Sequence, residues 1–386
     1  MFKVLTCNNI AEVGLKGLPE TSFSVNSKED APDAILVRSA NLLEASLGEN
    51  LLCIARAGAG TNNIPIEKCS AEGVVVFNTP GANANAVREL ALCALILSSR
   101  DIVSGVNWVR ALKGDDIAAQ VEKGKSAFTG PELLGKTLGV IGLGAIGGGI
   151  ANAAHHLGME VYGVDPYISV NAAWGLSRSI HRASGYADIY ALSDYITLHV
   201  PVTKETRNMI NADTIAQMKT GVRIINLARG DLVDHQALLS ALDSGKISCY
   251  VTDFPTAELL RMPNVVPIPH LGASTPESED NCAVMACNQL REYMLYGNIQ
   301  NSVNFPDVSL PLAGVRLCVI HQNIPNMLSM ISSSLSAAGI NIENMVSKSK
   351  GDLAYTVLDV GGPINSASVD CISRTEGILR VRVITP

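Results

Sequence analysis

Short apolar runs bounded by glycine, proline and polar residues recur along most of the chain. The first group comprises FKVLTC, AILVRS, LLCIARAG and GVVVFNTPG. After Gly135 the pattern repeats in TLGVIGLG, EVYGVDP, YITLHVP, VRIINLARG, SCYVTDF and VVPIPH, with helical patterns between the runs. Continuous apolar strands that alternate with helices are typical of parallel sheets covered on both faces. The pattern predicts an α/β protein with two doubly wound parallel-sheet domains of the Rossmann or flavodoxin-like type.

The pattern changes after residue 275. A long helical pattern over 276–296 leads into NFPDVSLPLAG, whose prolines and glycine indicate a linker. From Val315 onwards, strand and helix patterns follow one another as β-α-β-β-α-β. This order predicts a C-terminal ferredoxin-like domain, small enough to be an accessory module.

Charge and composition argue against several kinds of binding partner and location. The net charge of −7 shows no basic excess, so we expect neither nucleic acid nor a membrane surface as a partner. The longest apolar run, LALCALIL at 90–97, is too short to span a membrane, and MFKVLTCNN does not resemble a signal peptide. Nine cysteines without a CxxC pair favour reduced thiols in the cytoplasm, and no metal site is predicted.

A glycine-rich motif follows the strand pattern TLGVI. Gly142, Gly144 and Gly147 match G-x-G-x-x-G between a strand and a helix, and Asp165 ends the next strand. The glycines permit a tight turn, close approach of a pyrophosphate and close packing of helix on strand, while the acid accepts hydrogen bonds from ribose. A carboxylate there repels a 2′-phosphate, so the motif favours NAD over NADP. The alternative, that these glycines only allow helix and strand to pack, stays open.

Three further motifs follow predicted strands: NLARGDLVD, DFPTAEL and PHLGAS. Together with the glycine motif they resemble those of the D-isomer-specific 2-hydroxyacid dehydrogenases. The resemblance implies that Arg229 anchors the substrate, that His270 is the acid/base, and that Glu258 is the partner of His270. These residue types suit the reaction, because histidine exchanges protons near neutral pH and arginine holds a carboxylate in a bidentate fork. The family's proline after the glutamate is absent from DFPTAELL.

The same resemblance implies a set of cofactor contacts beyond the three glycines and Asp165. Among them, Asp253 resembles the acid that meets the nicotinamide amide. The implied contacts are Ala145, Ile146, His199, Val200, Pro201, Thr206, Ala228, Asp253 and Gly272.

The stretches VRSA and ARAGAGTNNI resemble substrate-side motifs of those family members that oxidise 3-phosphoglycerate. Backbone amides of the turn Gly58, Ala59 and Gly60 can cradle a carboxylate, and Arg38 and Arg56 can supply charge for a phosphate. Either arginine alone is more often a solvated surface residue, but the two together with the matching motifs favour a phosphate site.

The residues after 315 resemble an ACT regulatory domain. This resemblance implies an amino-acid effector, L-serine, contacted by His321, Asn323 and Asn341, with Asn326 in place of the usual glycine. Association through the cofactor domain into a homodimer or homotetramer is also implied. The predicted domains are a substrate-binding domain over 1–86 and 276–306, an NAD-binding domain over 87–275, a linker over 307–314 and the ACT domain over 315–386.

The expected activity is therefore NAD-dependent oxidation of D-3-phosphoglycerate. Two alternatives remain. One is a D-2-hydroxyacid dehydrogenase that acts on glycerate or hydroxypyruvate, and the other is a non-catalytic NAD-sensing binding protein of the same fold.

Overall fold

A computed structural model describes residues 1–385, which form two compact units. Unit 1 comprises Met1–Asn83 and Pro276–Pro386, and unit 2 comprises Ala84–Thr275. The chain thus leaves unit 1 once and later returns to it. Unit 1 contains residues 1–83 of the predicted first substrate-binding segment, the predicted segment 276–306 and the C-terminal domain, whereas residues 84–86 belong to unit 2.

Unit 1 begins with a five-stranded parallel sheet whose strand order is β2-β1-β3-β4-β5. This is the flavodoxin-like order. The four residues of AILV are all buried, as expected for a central strand covered on both faces. The elements are β1 (Phe2–Cys7), α1 (Glu12–Leu15), β2 (Phe23–Asn26), β3 (Ala34–Val37), β4 (Cys53–Arg56), α2 (Ile66–Ala71) and β5 (Val75–Phe77).

Unit 2 contains a seven-stranded parallel sheet. Its helices and strands are α3 (Ala84–Ser99), α4 (Ile102–Ala111), α5 (Ile117–Gly124), β6 (Thr137–Ile141), α6 (Ala145–His156), β7 (Glu160–Val164), α7 (Val170–Trp174), β8 (His181–Arg182), α8 (Tyr186–Leu192), β9 (Tyr195–Leu198), α9 (Ala212–Gln217), β10 (Val222–Asn226), α10 (His235–Asp243), β11 (Ile247–Thr252) and β12 (Val265–Pro267). Short 3₁₀ helices cover Lys125–Phe128, Gly230–Leu232 and Leu259–Arg261.

The strand order in unit 2 is β12-β11-β10-β9-β6-β7-β8, which is the Rossmann order with one additional edge strand. The order reverses between β6 and β9. Connections after these two strands leave in opposite directions and open a crevice at the carboxyl ends of the strands, where ligands bind in such sheets. The prediction of two doubly wound parallel sheets is confirmed.

The chain returns to unit 1 along one long helix and then forms the C-terminal domain. That domain is a four-stranded antiparallel sheet of order β14-β15-β13-β16. The β-α-β-β-α-β order is the predicted one. The elements are α11 (Pro276–Tyr296), β13 (Val315–Gln322), α12 (Met327–Ala337), β14 (Ile342–Lys350), β15 (Leu353–Val360), α13 (Ser366–Ser373) and β16 (Ile378–Ile384).

Both faces of the C-terminal sheet are covered. On one face, Leu317, Val319 and Leu358 pack with residues of α12 and α13. Residues of the other face share one core with the five-stranded sheet and α11. The C-terminal sheet contributes Cys318, Ile320, Tyr355 and Val357 to this core. The five-stranded sheet contributes Cys53 and Phe77, and α11 contributes Leu290 and Tyr293. Burial of apolar surface on this second face stabilises the domain against the rest of unit 1.

The side chain of Arg316 connects the segment before the C-terminal domain to the end of α11 and to β15 by hydrogen bonds. Its side chain is fully buried, and Nε and Nη2 donate to the two carboxylate oxygens of Asp359 at 2.7 and 3.0 Å. The remaining donors reach the carbonyl oxygens of Tyr296, Leu310 and Pro311 at 2.6 to 2.8 Å. All five guanidinium N–H groups are therefore satisfied. The predicted linker is held to the end of α11 and to β15.

Two classes of feature are absent from residues 1–385. No helix in this range combines the length and apolar character that a membrane span requires. Nor do these residues bring three metal-binding side chains together.

Candidate functional site

The glycine turn, residues 142–147, joins β6 to α6. Gly142 has φ +91°, and a Cβ there would lie 2.5 Å from the carbonyl oxygen of His199. A Cβ at Gly147 would overlap the carbonyl oxygen of Gly142. A Cβ at Gly144, in contrast, would meet nothing within 4 Å. Backbone conformation and packing explain the first and third glycines, while the second leaves open space beside the start of α6, which includes Ala145 and Ile146.

Asp165 lies beside this turn, one residue after β7. Its Oδ2 accepts a hydrogen bond from the backbone N–H of Leu143 at 2.9 Å, and its Oδ1 accepts one from Tyr167 at 2.9 Å. Two backbone donors thus fix the carboxylate, and each oxygen keeps a lone pair for a further donor. The strand, turn, helix and acid predicted from the sequence occur together here.

The loop after β9 forms the other side of the strand-order reversal. The half-buried His199 donates its backbone N–H to the carbonyl oxygen of Ile141 at 2.8 Å, and its Nε2 lies 2.8 Å from Thr197 Oγ1. Burial lowers the pKa of His199 to about 4, so the ring is neutral at physiological pH. Thr206 Oγ1 donates to the carbonyl oxygen of Pro201 at 2.6 Å. This threonine holds the loop that presents Val200 and Pro201.

Three polar side chains follow the carboxyl ends of three adjacent strands. Strand pairing aligns Asn226 of β10 with Thr252 of β11, and Thr252 with Pro267 of β12. Arg229, Asp253 and His270 come after these three strand ends. We refer to these three residues as the strand-end cluster.

Arg229 belongs to a turn that is fixed by Asn226. This asparagine is fully buried: Oδ1 accepts from the backbone N–H groups of Ala228 and Arg229 at 3.2 and 3.3 Å, and Nδ2 donates to the Arg229 carbonyl oxygen at 2.9 Å. The side chain of Arg229 is exposed and its Nη1 donates to the carbonyl oxygen of Ala228 at 2.6 Å. Asn226 thus fixes the backbone of the turn that bears Arg229, and it was not among the predicted site residues although it begins the NLARG motif.

His270 faces Asp253. Its Nδ1 lies 3.5 Å from Asp253 Oδ2, and its ring stands edge-on to Phe254 with centroids 5.0 Å apart. The imidazole is 61% exposed, whereas the Asp253 side chain is 2% exposed. Burial raises the pKa of Asp253, and the positive charges of His270 and Arg229 oppose that shift. The exposed imidazole of His270 therefore lies next to the buried carboxyl group of Asp253.

Two features of unit 2 fit a bound dinucleotide. The open space at Gly144 accommodates a group that approaches the backbone closely. Asp253 Oδ1 is buried and has no hydrogen-bond partner among the described residues, so an external N–H donor would satisfy it. Gly272 is buried, and a Cβ there would lie 3.4 Å from Val87.

In unit 1, the turn at Gly58, Ala59 and Gly60 follows β4. The Gly58 carbonyl oxygen accepts from the Thr79 backbone at 3.1 Å, and that of Ala59 accepts from Asn78 Nδ2 at 2.6 Å. A side chain at Gly58 would overlap the Arg56 guanidinium, whose Nε donates to Asn63 Oδ1 at 3.1 Å. Arg56 is thus packed directly against the predicted carboxylate-binding turn.

Arg38 lies after β3 in the same unit. Its Nη2 is 2.6 Å from Glu279 Oε1 in α11, and the two side chains are 39% and 43% exposed. Asn8 Oδ1 accepts from the backbone N–H groups of Arg38 and the next two residues at 2.8 to 3.2 Å. Arg38, which the sequence predicts to bind the substrate phosphate, is therefore already paired with the carboxylate of Glu279.

Comparisons with known proteins agree with this arrangement. The family model described as D-isomer specific 2-hydroxyacid dehydrogenase, NAD binding domain, matches residues 92–272. D-3-phosphoglycerate dehydrogenase 1 of Saccharomyces cerevisiae is 30% identical over 99% of this chain and 87% of its own length. The chain belongs to the D-isomer-specific 2-hydroxyacid dehydrogenases.

Two further relatives of this dehydrogenase differ from each other in the activity that their names state. Hydroxypyruvate reductase of Thermotoga maritima is 39% identical over 64% of the chain and 80% of its own length. The crystal structure of NAD⁺-bound 3-phosphoglycerate dehydrogenase from Entamoeba histolytica is 26% identical, with a TM-score of 0.59, covering 78% of this chain and 98% of that one.

The structure of this dehydrogenase does not bring Glu258 to His270. Glu258 Oε2 lies 3.5 Å from His235 Nε2 and is 59% exposed. Its pKa is lowered by hydrogen bonds from its own backbone and from Thr256, and less by the charge of His235. Glu258 precedes the 3₁₀ helix that carries the chain away from the carboxyl ends of the strands before β12 begins. The acid within 4 Å of His270 in this structure is Asp253, and the pairing of Glu258 with His270 stays a prediction.

The predicted effector residues of the dehydrogenase lie in the C-terminal domain. His321 is buried, with Nε2 2.8 Å from Thr356 Oγ1 and Nδ1 2.8 Å from the Gln322 carbonyl oxygen. Asn323 Nδ2 donates to the Gly351 carbonyl oxygen at 3.1 Å. Both residues line a pocket of about 460 Å³, and Asn341 is not among its lining residues. Asn326, at the start of α12, has φ +69°, a conformation that glycine or asparagine adopts readily.

Proposed function

We propose that this chain catalyses the NAD-dependent oxidation of D-3-phosphoglycerate to 3-phosphohydroxypyruvate, the first step of L-serine biosynthesis. The observation that carries the proposal is the strand-end cluster of Arg229, Asp253 and His270, at the carboxyl edge of a sheet that also bears the glycine turn. Similarity to the yeast phosphoglycerate dehydrogenase over 99% of the chain supports the choice of substrate.

His270 is the acid/base of the reaction. Oxidation breaks the C2–H bond and the O–H bond of the substrate hydroxyl, and His270 Nε2 accepts the hydroxyl proton while a carbonyl forms. NAD, when bound, would supply the acceptor for the hydride. Arg229, which the Asn226 turn presents to solvent, holds the substrate carboxylate and polarises the oxygen on the reacting carbon. In the reverse direction His270 returns the proton.

NAD is held by the glycine turn and Asp165. The N-terminus of α6 offers N–H groups to the pyrophosphate, and the fixed Asp165 carboxylate accepts from the adenosine ribose. The same negative charge disfavours the 2′-phosphate of NADP. Unpartnered Asp253 Oδ1 is the acceptor that fits the nicotinamide amide.

The substrate-side residues of unit 1 are Gly58, Ala59, Gly60, Arg38 and Arg56. The turn binds through backbone N–H groups, and the two arginines supply charge for the phosphate. Binding of a phosphate by Arg38 requires displacement of Glu279, because the two side chains form an ion pair.

A substrate panel tests the proposal directly. Initial rates with D-3-phosphoglycerate, D-glycerate and D-lactate, each with NAD and NADP, should show the highest kcat/KM for the phosphorylated acid with NAD. Arg56→Gln should lower kcat/KM for 3-phosphoglycerate at least tenfold and leave glycerate nearly unaffected. Absence of turnover with every substrate would favour an NAD-sensing binding protein instead.

A reductase of hydroxypyruvate is the second candidate, favoured by two observations. The Thermotoga relative of that name is more identical, at 39%, than the yeast relative, although over a shorter part of the chain. The Arg38–Glu279 pair also leaves less free positive charge for a phosphate. Faster NADH oxidation with hydroxypyruvate than with 3-phosphohydroxypyruvate would decide for this candidate.

L-Serine is the proposed effector of the C-terminal domain. His321 and Asn323 line its pocket of about 460 Å³, which is large enough for an amino acid. We expect millimolar serine to change kcat or KM of the wild type and to have no effect on Asn323→Ala. A velocity independent of serine up to saturation would contradict this assignment.

A homodimer or homotetramer formed through the cofactor domain is the proposed assembly, in the cytoplasm. Helix α4 carries Ile102, Val103, Val106 and Val109, each between 42% and 46% exposed. Apolar residues at this spacing form one helix face, and such faces on soluble proteins mark contact surfaces. Light scattering after size exclusion should give a multiple of 40.7 kDa, and Val106→Glu should shift it towards the protomer mass.

A further inference from the structure

One face of helix α11 lines a pocket in unit 1. Residues three or four positions apart share a face of a helix, and Asn281, Met285, Asn288 and Glu292 have this spacing. Together with Gln289 they line a pocket of about 510 Å³ whose described residues all belong to unit 1. None of these lining residues was predicted to bind cofactor, substrate or effector. The pocket is therefore distinct from the sites described above.

Two short loops form the remaining wall of the pocket. Residues 81–82 follow β5, and residues 300–301 follow α11. An antiparallel bridge between Phe77 and Ser302 places the two loops next to each other. Asn301 has φ +55°, a conformation that is uncommon for residues other than glycine. Backbone pairing thus fixes this wall opposite the helix.

The side-chain amide of Gln289 is unsatisfied. Gln289 is 4% exposed, and neither its Nε2 nor its Oε1 has a hydrogen-bond partner among residues 1–385. A buried amide that loses its hydrogen bonds to water and gains none in return destabilises the folded chain. A methionine would fill the same position without this cost. An external partner for the amide explains why a polar side chain lies here.

We propose that this pocket binds a small molecule with a primary carboxamide, which pairs with the side chain of Gln289. The glutamine amide offers a donor at Nε2 and an acceptor at Oε1. A second primary amide satisfies both atoms at once, because its carbonyl accepts from Nε2 while its N–H donates to Oε1. An ionised carboxylate has no donor for Oε1.

The charge of the pocket narrows the class of ligand. Among the described residues that line it, Glu292 is the one with a charged side chain. Its Oε2 accepts a hydrogen bond from Asn298 Nδ2 at 3.3 Å. An anion in the pocket would meet this negative charge without a cation in the lining. Val284 and Met285 add apolar contact. The ligand is therefore a neutral or cationic amide.

The test uses the full chain and follows Met285 by NMR. Because Met285 lines the pocket, the resonance of its ¹³C-labelled methyl group reports on occupancy, and Met285→Leu assigns that resonance. The probes are nicotinamide, which is neutral, and glycinamide, which is cationic. Nicotinate is the matched control, since it carries a carboxylate on the same ring. The titrations are repeated with NADH, because Asp253 Oδ1 in unit 2 is another buried acceptor without a partner among the described residues.

Nicotinamide and glycinamide should shift the Met285 resonance saturably, with or without NADH, and nicotinate should not. Gln289→Met should weaken the binding of both amides about tenfold or more, since two hydrogen bonds are lost. Without a probe, this variant should melt about 2–4 °C above the wild type, because it removes an unsatisfied buried amide. Gln217→Met is the matched control: Gln217 is exposed, and its Nε2 donates to the Asp213 carbonyl oxygen at 3.2 Å. Its amide binding and melting temperature should equal those of the wild type.

Three results would overturn the proposal. A Met285 resonance that neither amide shifts would mean that water alone satisfies Gln289. An equal response to nicotinate and nicotinamide would mean that the pocket does not recognise the amide group. Equal amide affinity in Gln289→Met and the wild type would mean that Gln289 is not the partner. These measurements need no turnover, so they stand or fall independently of the proposed dehydrogenase activity.

Discussion

The glycine turn and the strand-end cluster occupy the same carboxyl edge of one sheet, yet their geometry has different origins. In the glycine turn, Gly147 packs on the carbonyl of Gly142 and Asp165 bonds to Leu143, contacts that follow from a strand, a tight turn and a helix in succession. In the strand-end cluster, Asp253 meets His270 only because β11 pairs with β12.

This difference shows which parts of a site a sequence motif alone can predict. A motif fixes local backbone conformation, so the glycine turn can be inferred from its spacing alone. A contact between two strand ends also depends on the length and path of the connection between them. Glu258 matches its motif by spacing from Asp253, but the short connection places it against His235.

The largest expected effect is on the strand-end cluster. His270→Ala removes the proton acceptor, so kcat should fall about 10²–10⁴-fold while NADH affinity changes little. Steady-state rates and fluorescence titration measure the two quantities. Equal losses of rate and cofactor affinity would mean that His270 supports the glycine turn, which would remove the distinction between the two regions.

In the glycine turn, Gly147→Ala should be the most damaging substitution. The new methyl group overlaps the Gly142 carbonyl, and relief of the overlap must move α6 away from β6. We expect about 1–3 kcal/mol of lost stability and about 100-fold weaker NADH binding, measured by urea unfolding and fluorescence.

Gly144→Ala is the matched control for Gly147→Ala. Its methyl group enters open space, so stability should be unchanged while NADH binds about tenfold more weakly. Destabilisation of Gly144→Ala as large as that of Gly147→Ala would show that both glycines are structural.

Asn226→Ala tests whether a single buried side chain positions Arg229. It removes the acceptor for two backbone N–H groups and the donor to the Arg229 carbonyl. KM for the substrate should rise about tenfold, and stability should fall by about 1–3 kcal/mol. The change in KM should disappear for a substrate analogue without a carboxylate. If it persists there, the turn does not act through Arg229.

A further prediction concerns the dependence of stability on pH. The pKa of His199 in the folded protein, about 4, lies below the ordinary value of 6.5, so the unfolded chain binds the extra proton first as pH falls. Stability should therefore decrease between pH 6.5 and pH 4, by about 2 kcal/mol after allowance for partial exposure. Urea unfolding of the wild type and of His199→Gln should be measured across this pH range. Only the wild type should show this loss of stability. Parallel curves for the two proteins would contradict it.

Much of the fold follows from the apolar pattern. Ten of the twelve strands of the two parallel sheets, the helix α11 and the β-α-β-β-α-β order were predicted. Strands β2 and β8 were missed: FSVN has one buried residue and the two residues of β8 are both exposed. Edge strands of this kind carry no apolar run, because only one side of them meets the core.

Other features could not be read from the sequence because they depend on distant parts of the chain. Arg316 lies in the apolar run VRLCVI, and its burial becomes favourable only when Asp359 and three carbonyl groups converge on it. Arginine is a residue type that binds anions, but Arg38 is paired with Glu279, which lies in a helix far along the chain.

The discontinuous path of the chain through unit 1 has a consequence for synthesis on the ribosome. Unit 2 is one continuous segment and can fold as soon as it emerges, whereas unit 1 needs its early strands and the last strand, β16, together. Arg380 and Arg382 of that strand donate to carbonyl oxygens of Leu51, Tyr293 and Met294. Until those residues leave the exit tunnel, the apolar face of the five-stranded sheet stays uncovered, so chaperone protection should matter more for unit 1 than for the cofactor unit.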